Sequence, residues 1–303
     1  MEKISPEIIE KAKTWLSEKY DANTRKQVQE LIDNNPDELL ESFYKNLEFG
    51  TGGLRGIMGV GTNRMNTYTV AMATQGFANY IKKMLPDVKQ AQIAIAYDCR
   101  NNSKEFAQTA AEVMSANGIK VYIFNAVRTT PELSFAIREL KCQAGIVVTA
   151  SHNPKEYNGY KAYWADGGQL VSPHDKNVIG EVEKITDISL VNFNKNESLI
   201  EYLDEKFDEI YIDKILGLTL SPDAIKNQKD LVFVYTPIHG TGGQIIPRLF
   251  KKAGFSNFHT VEEQMVIDGN FPTVVSPNPE EKAALTLEIE KAKKVNADVV
   301  LAT

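Results

Sequence analysis

Sulfur and imidazole are scarce in this sequence of 303 residues, which holds two cysteines and four histidines. Cys99 and Cys142 are far apart and each flanks an apolar segment. They make neither a disulfide framework nor a zinc cluster and are expected as buried free thiols. No run of about 18 apolar residues is present to span a membrane. Met1-Glu2-Lys3-Ile4-Ser5-Pro6 lacks the apolar stretch of a secretion signal. Lys/Arg-rich blocks are absent too, and 34 basic against 40 acidic residues leave a net charge of -6. That balance argues against a nucleic-acid partner. A cytoplasmic protein with neither a nucleic-acid nor a membrane partner is expected, and in that setting the sequons at Asn101 and Asn196 carry no weight.

What is present is an ordinary globular composition, 43% hydrophobic and 24% charged, in a length that suits two domains. Residues 1–42 read as a helical extension. Ser5-Pro6-Glu7 suits a helix start, Thr24 and Gln27 have capping-box spacing for a second helix, and a third runs from Pro36 towards Asn46. A glycine-dense stretch, Phe49 to Gly61, follows. From there strands alternate with helices: helix Thr67–Leu85, strand Gln92–Tyr97, helix Ser103–Asn117, strand Lys120–Phe124, helix Pro131–Leu140 and strand Ala144–Thr149. The alternation implies βαβ units and a mostly parallel sheet, against which Gly159–Trp164 can return. A second unit of the same kind holds strands Leu231–Tyr235, Phe255–Val261 and Asp298–Ala302. The expected division is an extension at 1–42, a first α/β domain at 43–200 and a second at 201–303.

The most informative segment is Gly145-Ile146-Val147-Val148-Thr149-Ala150-Ser151-His152-Asn153-Pro154. A buried strand delivers a hydroxyl, an imidazole and an amide into a turn, where the sheet can hold the serine oxygen exposed and rigid. Turn hydrogen bonds alone also explain a serine and an asparagine there. Neighbours on an extended chain point apart, so His152 need not meet Ser151, and the Gly-x-Ser-x-Gly nucleophile elbow is absent. In Phe49-Gly50-Thr51-Gly52-Gly53-Leu54-Arg55-Gly56, glycines permit close backbone approach and Arg55 offers a planar fork of donors to phosphate. A glycine-rich turn with a surface arginine fits that stretch as well. It follows a helix, so it is neither a Walker loop nor a dinucleotide fingerprint.

Thr149-Ala150-Ser151-His152-Asn153-Pro154 resembles the active-site serine signature of the phosphoglucomutase/phosphomannomutase family, the α-D-phosphohexomutases. Phe49 to Gly56 is similar to that family's N-terminal motif, and Lys155-Glu156-Tyr157-Asn158-Gly159-Tyr160-Lys161 also matches. The resemblance covers about Phe43 to Thr303. It implies that Ser151 carries a phosphoryl group, that Arg55 stands beside it, and that Lys161 manages the hydroxyl proton or offsets charge. It gives His152 a supporting or acid–base role. All four are expected to meet the substrate, a sugar phosphate.

Tyr97-Asp98-Cys99-Arg100-Asn101-Asn102-Ser103 resembles a further family segment, in which Arg100 serves either phosphate electrostatics or an Asp98–Arg100 pair with Ser103 capping a helix. Thr236-Pro237-Ile238-His239-Gly240-Thr241-Gly242-Gly243 resembles the second-domain loop, in which His239 can approach the cleft, although loop geometry explains the glycines equally well. Asp268-Gly269-Asn270-Phe271-Pro272 is similar to the connection towards the metal loop.

The implied activity is interconversion of hexose 1-phosphate and hexose 6-phosphate through a phosphoserine and a bisphosphate. Mg2+ is the implied metal, with Ser151 as one ligand, and glucose 1,6-bisphosphate the implied activator. Family members have four domains. The Asp-rich metal loop is expected just after Thr303, with the sugar-recognition and phosphate loops in missing C-terminal domains, so the 303-residue chain alone is expected to be inactive. Phosphopentomutase and glucose-1,6-bisphosphate synthase activities stay open within the family. A serine hydrolase and a non-catalytic sugar-phosphate-binding module stay open outside it.

Overall fold

The structure is a computed structural model and describes residues 5–50 and 52–303. The first four residues, read above for a secretion signal, and Thr51 of the glycine-dense stretch lie outside the described residues.

Proline at the first helical position and an acid in the first turn start α1 (Pro6–Thr14), although the Ser5 side chain makes no capping bond. The second helix corrects an expectation. Asp21, not Thr24, caps α2 (Ala22–Asn34), accepting from the amides of Asn23 and Thr24, while the Thr24 hydroxyl donates to the same carboxylate. A carboxylate two and three residues ahead of free amides satisfies more of them than a hydroxyl inside the helix. α3 (Pro36–Phe43) ends three residues short of Asn46. The three helices close a core of their own over α4 (Thr67–Met84), in which Trp15 stacks on Tyr20 at 4.5 Å and meets Tyr68 edge-on at 5.6 Å.

The first α/β unit runs β1 (Gly53–Ile57), α4, β2 (Gln92–Tyr97), α5 (Ser103–Ala116), β3 (Lys120–Phe124), α6 (Thr130–Glu139), β4 (Ala144–Val148), β5 (Tyr157–Trp164), α7 (His174–Val182) and β6 (Ile200–Leu203). Its six-stranded sheet has the order β1-β5-β4-β2-β3-β6, with β2, β3, β4 and β6 parallel and β1 and β5 antiparallel. β4 is buried throughout, as a parallel strand covered on both faces must be. One face carries α4, α5 and α7 over Ile93, Ile95 and Ile146; the other carries α6 over Ala94, Ala96 and Val147. Trp164, at the end of β5, stacks on His174 at 4.4 Å.

The expected division at residue 200 falls on the first residue of β6, which pairs with β3 in the first sheet. α8 (Glu205–Leu216) and α9 (Pro222–Asn227) lead to the second unit: β7 (Val232–Thr236), α10 (Ile246–Ala253), β8 (Asn257–Thr260), α11 (Glu262–Met265), α12 (Thr286–Val295) and β9 (Val299–Ala302). Its three strands are parallel in the order β8-β7-β9. Two α/β units with mixed, mostly parallel sheets and a helical preface are thus present. No helix among the described residues is long and apolar enough to cross a membrane.

Candidate active site

β4 ends at the carboxyl edge of the parallel strands, where side chains leave the sheet towards a cleft. Thr149 keeps the pairing for one more residue, its amide donating to the Gly159 carbonyl at 2.9 Å. Its hydroxyl then accepts from the Ser151 amide at 2.9 Å, and the Asn153 amide donates to the Ala150 carbonyl at 3.1 Å. Within this turn Ser151 stands at φ +58°, the left-handed region that costs a non-glycine residue of order 1 kcal/mol. Its side chain is exposed, and Oγ lies 3.4 Å from Nδ1 of His152. The two neighbours therefore do approach one another, because the left-handed residue breaks the extended geometry that would point them apart.

The turn is held from outside by Arg100. Its guanidinium is buried and donates to the carbonyls of Ser151 (2.8 Å), Pro154 (2.8 Å), Tyr157 (3.1 Å) and Asn153 (2.5 Å). Nε faces the Asp98 carboxylate at 3.5 Å, and that carboxylate accepts from the Ser103 hydroxyl and the Arg100 amide. Of the two roles open to Arg100, the structure decides for the structural one. Ser103 opens α5, and the cap position itself is taken by Asn102 at φ +64°. Asn158 is fully buried and ties β5 to the same loop, donating to Ser103 Oγ at 2.9 Å and to the Asn101 carbonyl at 3.1 Å.

The glycine-dense stretch supplies β1, a strand that the sequence did not announce. It lies antiparallel to β5, Arg55 opposite Gly159 and Gly53 opposite Lys161. Gly53 has φ +150°, and a Cβ there would run into the Tyr160 carbonyl. Residues two apart on a strand, and residues opposite each other, share a face, so Arg55 and Lys161 stand diagonally on one face. Burial and the nearby charge of Arg55 hold the Lys161 ammonium below its usual range, with Asp98 opposing. Among the described residues, the ion pairs involve neither Arg55 nor Lys161. Two cations left to face each other favour an anion between them.

Ser151, His152 and Lys161 line a cavity of about 460 Å³ whose opposite wall comes from the second unit, through Pro237, Ile238, Thr241 and Ile245. Arg55 is exposed on β1, outside that lining. Cys99 lines the cavity as well, but burial pushes its thiol up to about 12, so it is no thiolate nucleophile. His239 does not reach the cavity. It is buried, with Nδ1 donating to the Val266 carbonyl at 2.8 Å and Nε2 at 2.8 Å from the Thr273 hydroxyl. A second cavity, of about 500 Å³, lies between α2, α3 and the loop at Gly59, away from any of these groups.

Magnesium wants near-octahedral oxygen ligation, usually with one or two carboxylates. Among the described residues no group of three or more His, Cys, Asp or Glu is placed to hold a metal. The Asp98 carboxylate in the cavity wall is committed to Arg100 and Ser103. The residues present therefore do not make a magnesium site by themselves, and Ser151 can supply at most one oxygen.

The chain matches the family model described as phosphoglucomutase/phosphomannomutase, alpha/beta/alpha domain I, over residues 46–189, and that of domain II over residues 209–303. The chain belongs to the phosphoglucomutase/phosphomannomutase family. It is 41% identical over 267 residues to a phosphoglucomutase of Staphylococcus haemolyticus, covering 87% of this chain and 47% of that protein. It is 37% identical over 303 residues to a phosphopentomutase of Homo sapiens, covering 95% and 49%. The solved structure of a phosphoglucomutase/phosphomannomutase family protein from Burkholderia thailandensis superposes with a TM-score of 0.65 at 23% identity, over 83% of this chain and 51% of that one. This last likeness is one of fold. The chain spans about half the length of the curated relatives it matches.

Proposed function

We propose that the protein carrying this chain moves a phosphoryl group between Ser151 and two hydroxyls of a sugar phosphate, interconverting hexose 1-phosphate and hexose 6-phosphate. The observation that carries this reading is the serine itself. A sheet end and four Arg100 hydrogen bonds to its loop hold it, and its hydroxyl is exposed in a cavity that Lys161 also lines, with Arg55 on the strand next to that lysine. Phosphoryl transfer depends chiefly on positioning and on charge stabilisation, and a rigid loop beside two cations offers both.

In the first step an oxygen of the sugar attacks the phosphorus on Ser151, and the bond from phosphorus to Oγ breaks. The hydroxyl proton passes to Lys161, whose neutral amine is favoured by burial and by Arg55, and from there to Oγ as its bond to phosphorus breaks. Arg55 faces the moving group as a fixed positive charge. The bisphosphate reorients, Oγ of Ser151 attacks its other phosphorus while giving its proton to Lys161, and Lys161 passes that proton to the sugar oxygen released. His152, 3.4 Å from Oγ, supports the serine. Magnesium would take one oxygen from phosphorylated Ser151.

Relatives of both names, phosphoglucomutase and phosphopentomutase, are similar to this chain to nearly the same degree, so a pentose phosphate is the second reading. The test is intact mass and peptide mapping of the full-length protein after incubation with Mg2+ and glucose 1,6-bisphosphate. One phosphate on Ser151, lost together with mutase activity in Ser151→Ala, is expected. An active enzyme with unmodified Ser151 would overturn the reading. Parallel assays with glucose 1-phosphate and ribose 1-phosphate separate the two sugars.

A further inference from the structure

The four carbonyls that Arg100 gathers belong to the serine loop, but what covers Arg100 belongs to the other unit. The Phe271 ring lies against the guanidinium, 5.5 Å from its carbon to the ring centre. Phe271 is itself buried and stands at φ +50°, in a loop that crosses from the second unit to the first. Gly269 of this loop sits so close to the first unit that a Cβ would come within 2.5 Å of the Asn101 amide nitrogen and 2.9 Å of the Arg100 carbonyl carbon. Next to it, Asn270 Oδ1 accepts from the Asn101 side chain at 3.0 Å. The far end of the loop is pinned to the second unit, where Thr273 is held by Nε2 of His239 at 2.8 Å and by the Gln264 amide at 3.0 Å. Both His239 and Gln264 are buried, and the His239 amide donates to the Gln264 carbonyl at 2.8 Å.

The geometry points to Phe271 and Arg100 as positioning residues for Ser151: the second unit, through the loop at 268–273, fixes the turn that presents the serine hydroxyl. The physical ground is that Arg100 can serve four carbonyls only in one rotamer. The Phe271 ring covers the guanidinium face, and the Nε edge, which makes no hydrogen bond, is turned to the Asp98 carboxylate at 3.5 Å. A guanidinium over an aromatic face is held by the ring quadrupole, more strongly when both are removed from water. Without the ring, water reaches the guanidinium and competes with the carbonyls, and the left-handed Ser151 relaxes towards ordinary backbone geometry. Arg100 lies outside the cavity lining, whereas Phe271 forms part of its wall; amide exchange measured without substrate therefore isolates the effect on the place of Oγ from any contact of the ring with substrate. The assignment of chemistry to Ser151 rests on the function proposed above; the mechanical coupling does not.

The experiment uses the full-length protein and two readouts on Phe271→Ala, Phe271→Leu, Phe271→Tyr and Arg100→Lys. Hydrogen exchange is followed at the hydrogen-bonded amides of Ser151, Asn153 and Tyr157, with the β2 amides as the internal reference for folding. In Phe271→Ala and Arg100→Lys the loop amides are expected to exchange about ten-fold faster while β2 is unchanged. Phe271→Tyr keeps the aromatic face and restores protection; Phe271→Leu fills the volume without that face and does not. Transfer from glucose 1,6-bisphosphate to Ser151 is the second readout, with kcat falling by about ten-fold in Phe271→Ala and about a hundred-fold in Arg100→Lys, and KM little changed. Loop exchange at the unsubstituted rate in Phe271→Ala and Phe271→Leu would overturn the coupling. If the unsubstituted enzyme leaves Ser151 unphosphorylated, the mutase reading falls, and the exchange data alone decide the coupling.

Discussion

The guanidinium of Arg128 grips the carboxylate of Asp208 with two hydrogen bonds, Nε to Oδ1 at 2.7 Å and Nη2 to Oδ2 at 3.0 Å, with both side chains out of contact with water. Arg128 precedes α6, Asp208 lies on α8, and Arg248 of α10 reaches the same Asp208 oxygen at 2.6 Å. A buried pair contributes little beyond a matched apolar pair, but losing one partner strands a charge. Asp208→Asn should therefore lower unfolding free energy by about 3 kcal/mol, read as a shift of the urea midpoint at constant slope.

Glu132 sits on the same cluster with its carboxylate 3.9 Å from Arg128 and no hydrogen-bond partner for either oxygen. Burial, and then the charge of Asp208, raise it to about 8, with Arg128 opposing. The folded chain thus holds a proton that the unfolded chain has already released. The stability this contributes is complete below the ordinary carboxylate range and is lost as pH rises from there towards about 8. Urea midpoints should fall across that window, and Glu132→Gln should flatten the fall. An equal slope in both proteins would rule Glu132 out as its source.

Lys161 lends itself to a pH test of the proposed chemistry. As the acceptor of the hydroxyl proton it must be neutral, so kcat/KM should rise along an acidic limb. Arg55→Gln removes a charge that depresses the lysine, which moves that limb to higher pH. Lys161→Arg keeps the charge but not the titration, and should lose about a hundred-fold in rate or more.

At the start of α2, Asp21 is held down to about 2, first by the Thr24 hydroxyl and then by the Thr24 amide. Asp21→Ala should cost about 1 kcal/mol in the extension. Thr24→Ala, had it been the cap, would cost as much; with Asp21 as the cap it should cost less. Thermal unfolding of the two variants side by side checks the assignment.

The serine loop was legible because a buried parallel strand and the turn after it are written in adjacent residues, Ala144 to Pro154. β2, β3 and β4 were legible for the same reason, since runs of four or five apolar residues bounded by polar ones carry their own length. β1 was not, because Gly53 and Gly56 hide a strand whose pairing with β5 is set across a hundred residues. β6 was hidden by its half-polar Ile200-Glu201-Tyr202-Leu203, which follows the polar stretch Asn192 to Ser198 and closes the sheet beside β3. Arg100 could be placed beside Asp98 from sequence. That it gathers the carbonyls of Ser151, Asn153, Pro154 and Tyr157 depends on two loops meeting in space, and no local pattern records it.

The two indoles of the sequence sit in different cores, Trp15 against Tyr20 in the helical extension and Trp164 against His174 at the end of β5. Each is thus an optical label for one body of the chain. Within these 303 residues, the indole left in Trp164→Phe reports on whether the extension is docked over α4, and the one left in Trp15→Phe on the first sheet. Melting curves from the two single-indole proteins would reveal whether the extension peels away before the sheet opens or leaves with it.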